Sequence, residues 1–544
     1  MKTYQSPGVY IEEVNKGTKP IEAVGAAVAA FVGFTEFATD KRRDKKAHVN
    51  TRQSDQELLG KPTLVTNWSQ FEQKFGSFHS QAYLPDSVYG YFANGGSRAY
   101  IISLRTVGVD DDGSTASAAK RTLSIPTADD PNTPLLDVSV KQNVTGKVTV
   151  SIKPDGTPDA PSFTLTINSD GGDEVYPAVT TDKGDNNVEA KVNAASKFVQ
   201  VKVKTSAKAK LLPAEGSYPL SAAVGSTQAT ATNGTAQLAV TDYQGNLESN
   251  KGVEGLERFD DITMIAVPDL MTPYVSKVVD DKAEKEIQGI QQMIIDYCEK
   301  VRYCFAILDA PPGKTPQQMK KWRETGGGNL DSTRAAVYYP WLEVPNRTGE
   351  GGISRMIPPS GHMAGIYAHS DRERGIHKAP ANEVVQVATG VEIQVTTGEQ
   401  DMLNPIGINC IRGFPGRGIR VWGARTLSSD ASWRYINVRR LFNMVEASIE
   451  KGTQWVVFEP NDPDLWARVR RDVGAFLKLT WRSGALFGDT PEQAFYVKCD
   501  HETNPRETRD LGQLIIEIGM APVKPAEFVI FRISQWAGPD ATGE

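Results

Sequence analysis

Three histidines, His362, His369 and His377, fall within sixteen residues, with Asp371, Glu373 and Glu383 nearby. Imidazoles beside carboxylates are the groups that bind zinc or move protons in hydrolysis. The seven- and eight-residue gaps between them fit neither the i, i+4 pair of a metalloprotease helix nor a compact metal loop. Ser370 beside His369 makes no triad, because triad members meet in space from separate segments. A hydrolase or metal-dependent enzyme at His362, His369 and His377 is the alternative reading; a structural loop is the reading these spacings favour.

Two glycine-bearing stretches invite a nucleotide. "DAPPGKT" carries Gly313-Lys314-Thr315 after a strand, but a phosphate loop needs a glycine where Leu308 stands. Pro311 and Pro312 also remove amide donors from such a cradle. "GFPGRG", Gly413 to Gly418, runs in the order GxxGxG and precedes a strand, which describes a tight turn rather than a dinucleotide site. The four cysteines, Cys298, Cys304, Cys410 and Cys499, match no zinc ribbon or disulfide framework and read as buried thiols. Catalytic, cofactor and metal residues are therefore expected to be none.

The elements that carry these residues are legible from periodicity. The chain has 544 residues, 39% hydrophobic and 23% charged, with a net charge of −6. That length predicts two to four domains, and that balance carries no nucleic-acid signal. "AVGAAVAAFVGF", Ala23 to Phe34, is too short to span a bilayer, and Glu12, Glu13 and Glu22 precede it. It reads as a buried strand or helix, and no signal peptide or membrane segment is expected. "RAYIISL" is a strand. "ITMIAVPDL", "KEIQGIQQMIIDYCEK" and "YCFAILDAPPG" follow as strand, helix and strand, a crossover on a parallel sheet. Between Val107 and Asn250 there is no Trp, and 17 Asp/Glu face 12 Lys/Arg. The alternating runs "VTVSI", "FTLTI" and "VQVKV" in this stretch predict an inserted β-sandwich or barrel.

Beyond Val384, "SSDASWRYINVRRLFNMVEASIEKG" reads as a helix capped by Ser429 or Asp430 and closed by Lys451 and Gly452. "WVVFEP" reads as a strand. Asp462 and Pro463 open a helix whose apolar stripe is Leu465, Val469, Val473, Phe476 and Thr480. Arg468, Arg471, Lys478 and Arg482 fall nearly opposite, as a solvated face or a docking face for an acidic partner. Residues 401–480 hold 12 Lys/Arg against 8 Asp/Glu, too mild an excess for a nucleic-acid scaffold. "AFYVKCD" and "GQLIIEIGM" are strands. The last strand, "AEFVIFRISQW", sets Val529, Phe531 and Ile533 on one face and Phe528 and Ile530 on the other, and needs a partner edge.

The fold class is thus α/β and α+β multidomain. An arm over 1–20 precedes an α/β core over 21–106 and 251–383. An all-β insertion occupies 107–250, an α+β domain 384–520, and a second extended arm 521–544.

"SPGVYIEEV", "AAFVGF", "DITMIAVPDL", "CFAILDAPPG", "AAVYYPWL" and "PPSGHMAGIYAHSDRERGIHKAPANE" resemble, in order, contractile tail sheath proteins. "LNPIGINCIRGFPGRGIRVWGARTLSSDASWRYINVRRLF" and "GQLIIEIGMAPVKPAEFVIFRISQ" carry the resemblance furthest. It covers roughly residues 5–40 and 255–536; 107–250 lies outside it, where such proteins carry variable outer domains.

The resemblance implies that both arms add strands to a sheet of neighbouring copies, through Val9, Tyr10, Ile11 and Val14 and through Phe528, Val529, Ile530, Phe531 and Ile533. The receiving sheet is built around Val497, Leu514, Ile516 and Ile518. Partners implied are copies of the chain in stacked six-fold rings, an inner tube, baseplate and tail-terminator or cap proteins. No nucleic acid, membrane insertion or cofactor is implied. The basic residues Arg468, Arg471, Lys478 and Arg482 would face the tube. The particle, a phage tail or tail-like assembly made in the bacterial cytoplasm, would contract to drive the tube through an envelope.

Overall fold

Strands buried on both faces are written as unbroken apolar runs rather than alternations, and five such runs form the centre of this protein. The computed structural model describes residues 21–25, 27–40, 57–107, 122–128, 134–140, 148–156, 162–169, 172–182, 184, 186–204, 212–219, 238–275, 281–326, 328–349 and 352–533. The chain divides into two compact units, Met1–Val107 with Gln237–Glu544, and Gly108–Ala236.

The first unit is built on an eight-stranded sheet. Its strands are β1 (Ala29–Thr35), β2 (Thr63–Val65), β3 (Ala99–Thr106), β4 (Met264–Ala266), β5 (Phe305–Asp309), β6 (Ala335–Tyr339), β7 (Ile408–Phe414) and β8 (Gly418–Val421), in the order β8-β7-β6-β5-β4-β1-β3-β2. Pairing is parallel except at the two ends, β2 with β3 and β7 with β8. β4 and β5 pair in parallel with Met264 opposite Phe305, and the helix Asp281–Val301 connects them. The crossover expected from the strand–helix–strand pattern is therefore present.

Two buried carboxylates fasten helices to this sheet. Asp309, at the end of β5, accepts from the Ser360 amide at 2.8 Å and its hydroxyl at 2.6 Å. It thereby holds the start of the helix Ser360–Arg374. Asp269 accepts from the amides of Phe34, Tyr83 and Leu84 at 2.7, 2.5 and 3.2 Å. Burial pushes Asp309 up to about 7 and Asp269 up to about 6, the hydrogen bonds opposing the shift in each case.

A second core within this unit joins α1 (Ile436–Gly452), α2 (Pro463–Arg482) and the antiparallel pair β9 (Phe495–Lys498) and β10 (Glu517–Met520). β7 and β8 belong to the central sheet, so this core begins after them and not at residue 384: β7 is buried along Ile408–Ile411 and pairs with β6. A buried ion pair ties α1 to the helix Ser360–Arg374, Arg440 reaching Asp371 at 2.6 and 2.9 Å.

Three local segments depart from their sequence pattern. Trp455–Pro460 forms no strand. Gln454–Val456 is a 3-10 turn and Phe458 takes a left-handed φ of 67°, which reverses the chain within the few residues left before α2. Asp430 caps the short 3-10 turn Ala431–Trp433, accepting from Ser432 N at 2.8 Å, while α1 starts at Ile436. Gly452 is the last helical residue and not a left-handed cap. A Cβ there would stand 2.7 Å from Ile21 Cγ1, so the glycine admits the incoming chain.

Among its described residues, the unit Gly108–Ala236 carries two antiparallel sheets of four and three strands around one apolar core, including Val150, Leu165, Val138 and Val201. It is not wholly β: Asn187 caps a helix, Val188–Ala195, accepting from Ala190 N at 3.0 Å, and Val188 and Val192 enter the same core. Residues 238–250 lie outside this unit, and Val240–Gln244 form a helix of the first.

Candidate assembly surface

The three histidines do not converge. His362 and His369 sit on the helix Ser360–Arg374 rather than in a loop, and His377 follows it. His362 is buried against Gly90, where a Cβ would fall 2.2 Å from its ring. Burial, assisted by Arg347, lowers its pKa to about 4. His369 lies 3.4 Å from Arg372 Nη2, and Asp371 is committed to Arg440. Among the described residues no group of three His, Cys, Asp or Glu could hold a metal ion.

Thr315 of "DAPPGKT" caps a helix, Pro316–Thr325, and the Gly313 amide donates to Glu392 Oε1 at 2.8 Å. A carboxylate therefore occupies the place a phosphate would need. "GFPGRG" is the turn between β7 and β8, with Gly416 and Gly418 at φ 70° and 75°.

On α2 the expected stripe is buried, Leu465, Val469, Val473, Phe476 and Thr480 all facing the second core. Asp462 caps the helix at 2.8 Å from Leu465 N. Arg468, Arg471, Lys478 and Arg482 are exposed. The face is less purely basic than its stripe suggests, because Arg468 meets Glu459 at 3.2 Å and Arg471 meets Asp472 at 3.1 Å. Beside it, the turn after α1 leaves Val457 and Phe458 exposed.

β9 and β10 make a two-stranded sheet, with Val497 opposite Ile518. Leu514 and Ile516 precede β10 and continue its alternation: Leu514, Ile516 and Ile518 are half-buried while Ile515 and Glu517 are exposed. Two strands alone are marginal, and packing on α2 supports them from one face. Among the described residues, no other named strand pairs with either.

The terminal segment follows a defined path. Phe487 N donates to Ala521 O at 2.8 Å, Ala521 N to Ala494 O at 2.9 Å and Val523 N to Ala485 O at 3.2 Å. Asn437 Nδ2 then holds Val523 O at 3.1 Å. At Glu527 the chain meets the central core. From Phe528 to Ile533 it is neither strand nor helix, and Phe528, Val529, Ile530, Phe531 and Ile533 are 69–95% exposed. Val9, Tyr10, Ile11 and Val14 lie outside the described residues.

The partners of Glu527 escape a reading by sequence. Arg425, Asn404 and Tyr435 converge on it from three places in the chain. The available signal was Glu527 itself, the one carboxylate between Glu517 and Asp540, set at the head of an apolar strand pattern.

Comparisons with known proteins agree with this architecture. A family model described as the phage tail sheath protein central domain matches residues 260–427, and one described as the phage tail sheath C-terminal domain matches 428–535. The two meet where the second core begins. The chain is 24% identical over 313 residues to the tail sheath protein of Vibrio phage KVP40, spanning 53% of this chain and 45% of that protein. It is 29% identical over 243 residues to the tail sheath protein of Burkholderia phage BcepMu, spanning 42% and 48%. The chain thus spans about half the length of the curated relatives named here. Among solved structures, the anti-feeding prophage helical sheath in its contracted state is similar at 25% identity and a TM-score of 0.55, over 98% of this chain and 100% of that one. The six-fold symmetrised baseplate of the same particle is similar at 25% identity and a TM-score of 0.53, over 98% and 100%. Among the described residues no helix is long and apolar enough to cross a membrane.

Proposed function

Because this chain belongs to the phage tail sheath family, we propose that it is the structural subunit of a contractile sheath, built as stacked six-fold rings around an inner tube. The observation that carries this reading is the pairing of deficits in one subunit. Among the described residues, an apolar segment, Phe528–Ile533, is left exposed, and a two-stranded sheet, β9 and β10, is joined by no third named strand. Each deficit is satisfied by the other in a neighbouring copy, through β-augmentation. Contacts of this kind join different surfaces and so propagate into a tube instead of closing on themselves. The amino-terminal arm, Val9 to Val14, would contribute a further strand.

Contraction follows from the same arrangement. The arms act as hinges while the globular bodies rotate into denser packing. The extended form is metastable, and its energy is stored during assembly on the tube. No nucleotide is consumed in this scheme. The basic face of α2 would hold an acidic tube through exposed contacts that salt weakens. Baseplate and terminator proteins would begin and end the array. The whole particle is a phage tail or a tail-like injection device.

The test is to express the chain with its tube and baseplate partners and to image the product by negative stain. Ringed tubes in a long and a short form are expected. Formation of bare tubes in the presence of abundant soluble subunit would overturn the reading.

A further inference from the structure

The carboxylate of Glu527 sits where bound chain becomes unbound chain. Arg425 grips it with a fork, Nε to Oε1 at 2.9 Å and Nη2 to Oε2 at 2.7 Å. Asn404 Nδ2 donates to Oε1 at 2.7 Å and the Tyr435 hydroxyl to Oε2 at 3.1 Å. A carboxylate offers about four lone-pair sites, and all four are taken here. The pair is largely shielded from water, the Arg425 and Glu527 side chains being 9% and 19% exposed.

The donors come from separate parts of the first unit. Asn404 opens the 3-10 turn Asn404–Ile406, Arg425 follows β8, and Tyr435 stands just before α1. Arg425 is itself held, its amide donating to Asn409 Oδ1 at 2.7 Å and its Nη1 to Asn404 O at 3.2 Å. One residue beyond the clamp, Phe528 is 72% exposed.

We propose that Glu527 is a positioning residue. Its clamp fixes the point and direction from which the terminal arm reaches a second copy of this chain, and it delivers tension on the arm into the central core. The inference rests on the sheath reading for its partner. Without the clamp, the last fixed residue is Val523, held to Ala485 and Asn437. Four residues of slack then join the arm, and its origin wanders by up to about 13 Å. A tether with a wandering origin lowers the effective concentration of the arm at its target edge. A neighbour pulling on such an arm would also load the second core alone, leaving the central sheet behind.

The experiment uses the full chain with spin labels at Lys478→Cys and Phe528→Cys, since all four native cysteines are buried. The soluble protein is expected to give a narrow label-to-label distance distribution. Glu527→Gln, and separately Asn404→Ala, are expected to broaden it. The exchanged pair R425E/E527R is expected to narrow it again, because the Asn404 amide and the Tyr435 hydroxyl can present oxygens to a guanidinium. On a preformed tube, Glu527→Gln should need about tenfold more subunit to assemble, the loss of a charged hydrogen-bond pair, with the exchanged pair restoring it. Equal widths for the parent and Glu527→Gln would overturn the clamp, as would assembly of Glu527→Gln at the parent's threshold. Failure of the parent chain itself to assemble would strike the sheath reading instead, and the distance measurement on soluble protein would still decide the clamp.

Discussion

Phe531→Ser separates a residue that stabilises its own fold from one that joins subunits. In the subunit Phe531 is 82% exposed, so its loss should change monomer stability by no more than about 0.5 kcal/mol. In a docked arm its ring would be covered, and burial of such a side chain is worth about 1.5–3 kcal/mol. The size of the whole arm decides how much that matters. Covering Val529, Phe531 and Ile533 contributes roughly 5–9 kcal/mol, and about four new backbone hydrogen bonds add roughly 2–6 kcal/mol. Ordering seven residues costs about 7–14 kcal/mol. The gain and the cost span nearly the same range, so the arm is marginal and removing one ring weighs against it in every repeat of the lattice. A single joint should weaken by roughly 10- to 100-fold. The assay is sedimentation of subunit onto preformed tube across a concentration series, with thermal melts of the monomer alongside. Assembly at the parent's threshold would refute the arm as a joint. A melting temperature lowered by several degrees would show that Phe531 packs within its own subunit.

Three further outcomes follow from named contacts. The double variant R468E/K478E should fold normally, since both side chains are exposed and the Arg468 pair with Glu459 is worth at most about 1 kcal/mol; it should nevertheless fail to form extended sheath on an acidic tube, and extended particles of normal length would remove the tube-facing role. Arg440→Ala strands the buried Asp371 carboxylate and should lower the unfolding free energy by about 3–5 kcal/mol, read from the urea midpoint. Asp309 is raised from its ordinary value to about 7 in the fold, so the native state retains a proton the unfolded chain has lost; stability should fall as pH rises from about 4 to 7, by at most about 1.4 kcal/mol per unit. Asp309→Asn keeps a hydrogen-bonding group opposite Ser360 and should flatten that slope, and an unchanged slope would assign it to other groups.

The central sheet was readable because its strands are buried on both faces and must be apolar throughout, as in "FAILD" and "AAVYY". The start of α2 was equally plain, since Asp462 and Pro463 are cap chemistry that acts within four residues. The period-two pattern of Phe528–Ile533 and the order of the sheath-like motifs also lay in the linear chain. Cap chemistry did not suffice at Asp430, which serves a 3-10 turn because α1 begins only at Ile436. "WVVFEP" has strand composition, yet no strand edge is offered to it and the chain must reverse there. β7 was assigned to the wrong domain because membership of a sheet depends on which edge is free when the chain returns, here that of β6. The grip on Glu527 was invisible for the same reason: Asn404, Arg425 and Tyr435 become neighbours only when the sheet and α1 are assembled. Local pattern determines elements and their ends, because those interactions span one turn of helix or one pair of residues. Pairing partners, ion-pair clamps and the surfaces left uncovered depend on contacts across a hundred residues or more, and the tertiary structure alone decides them.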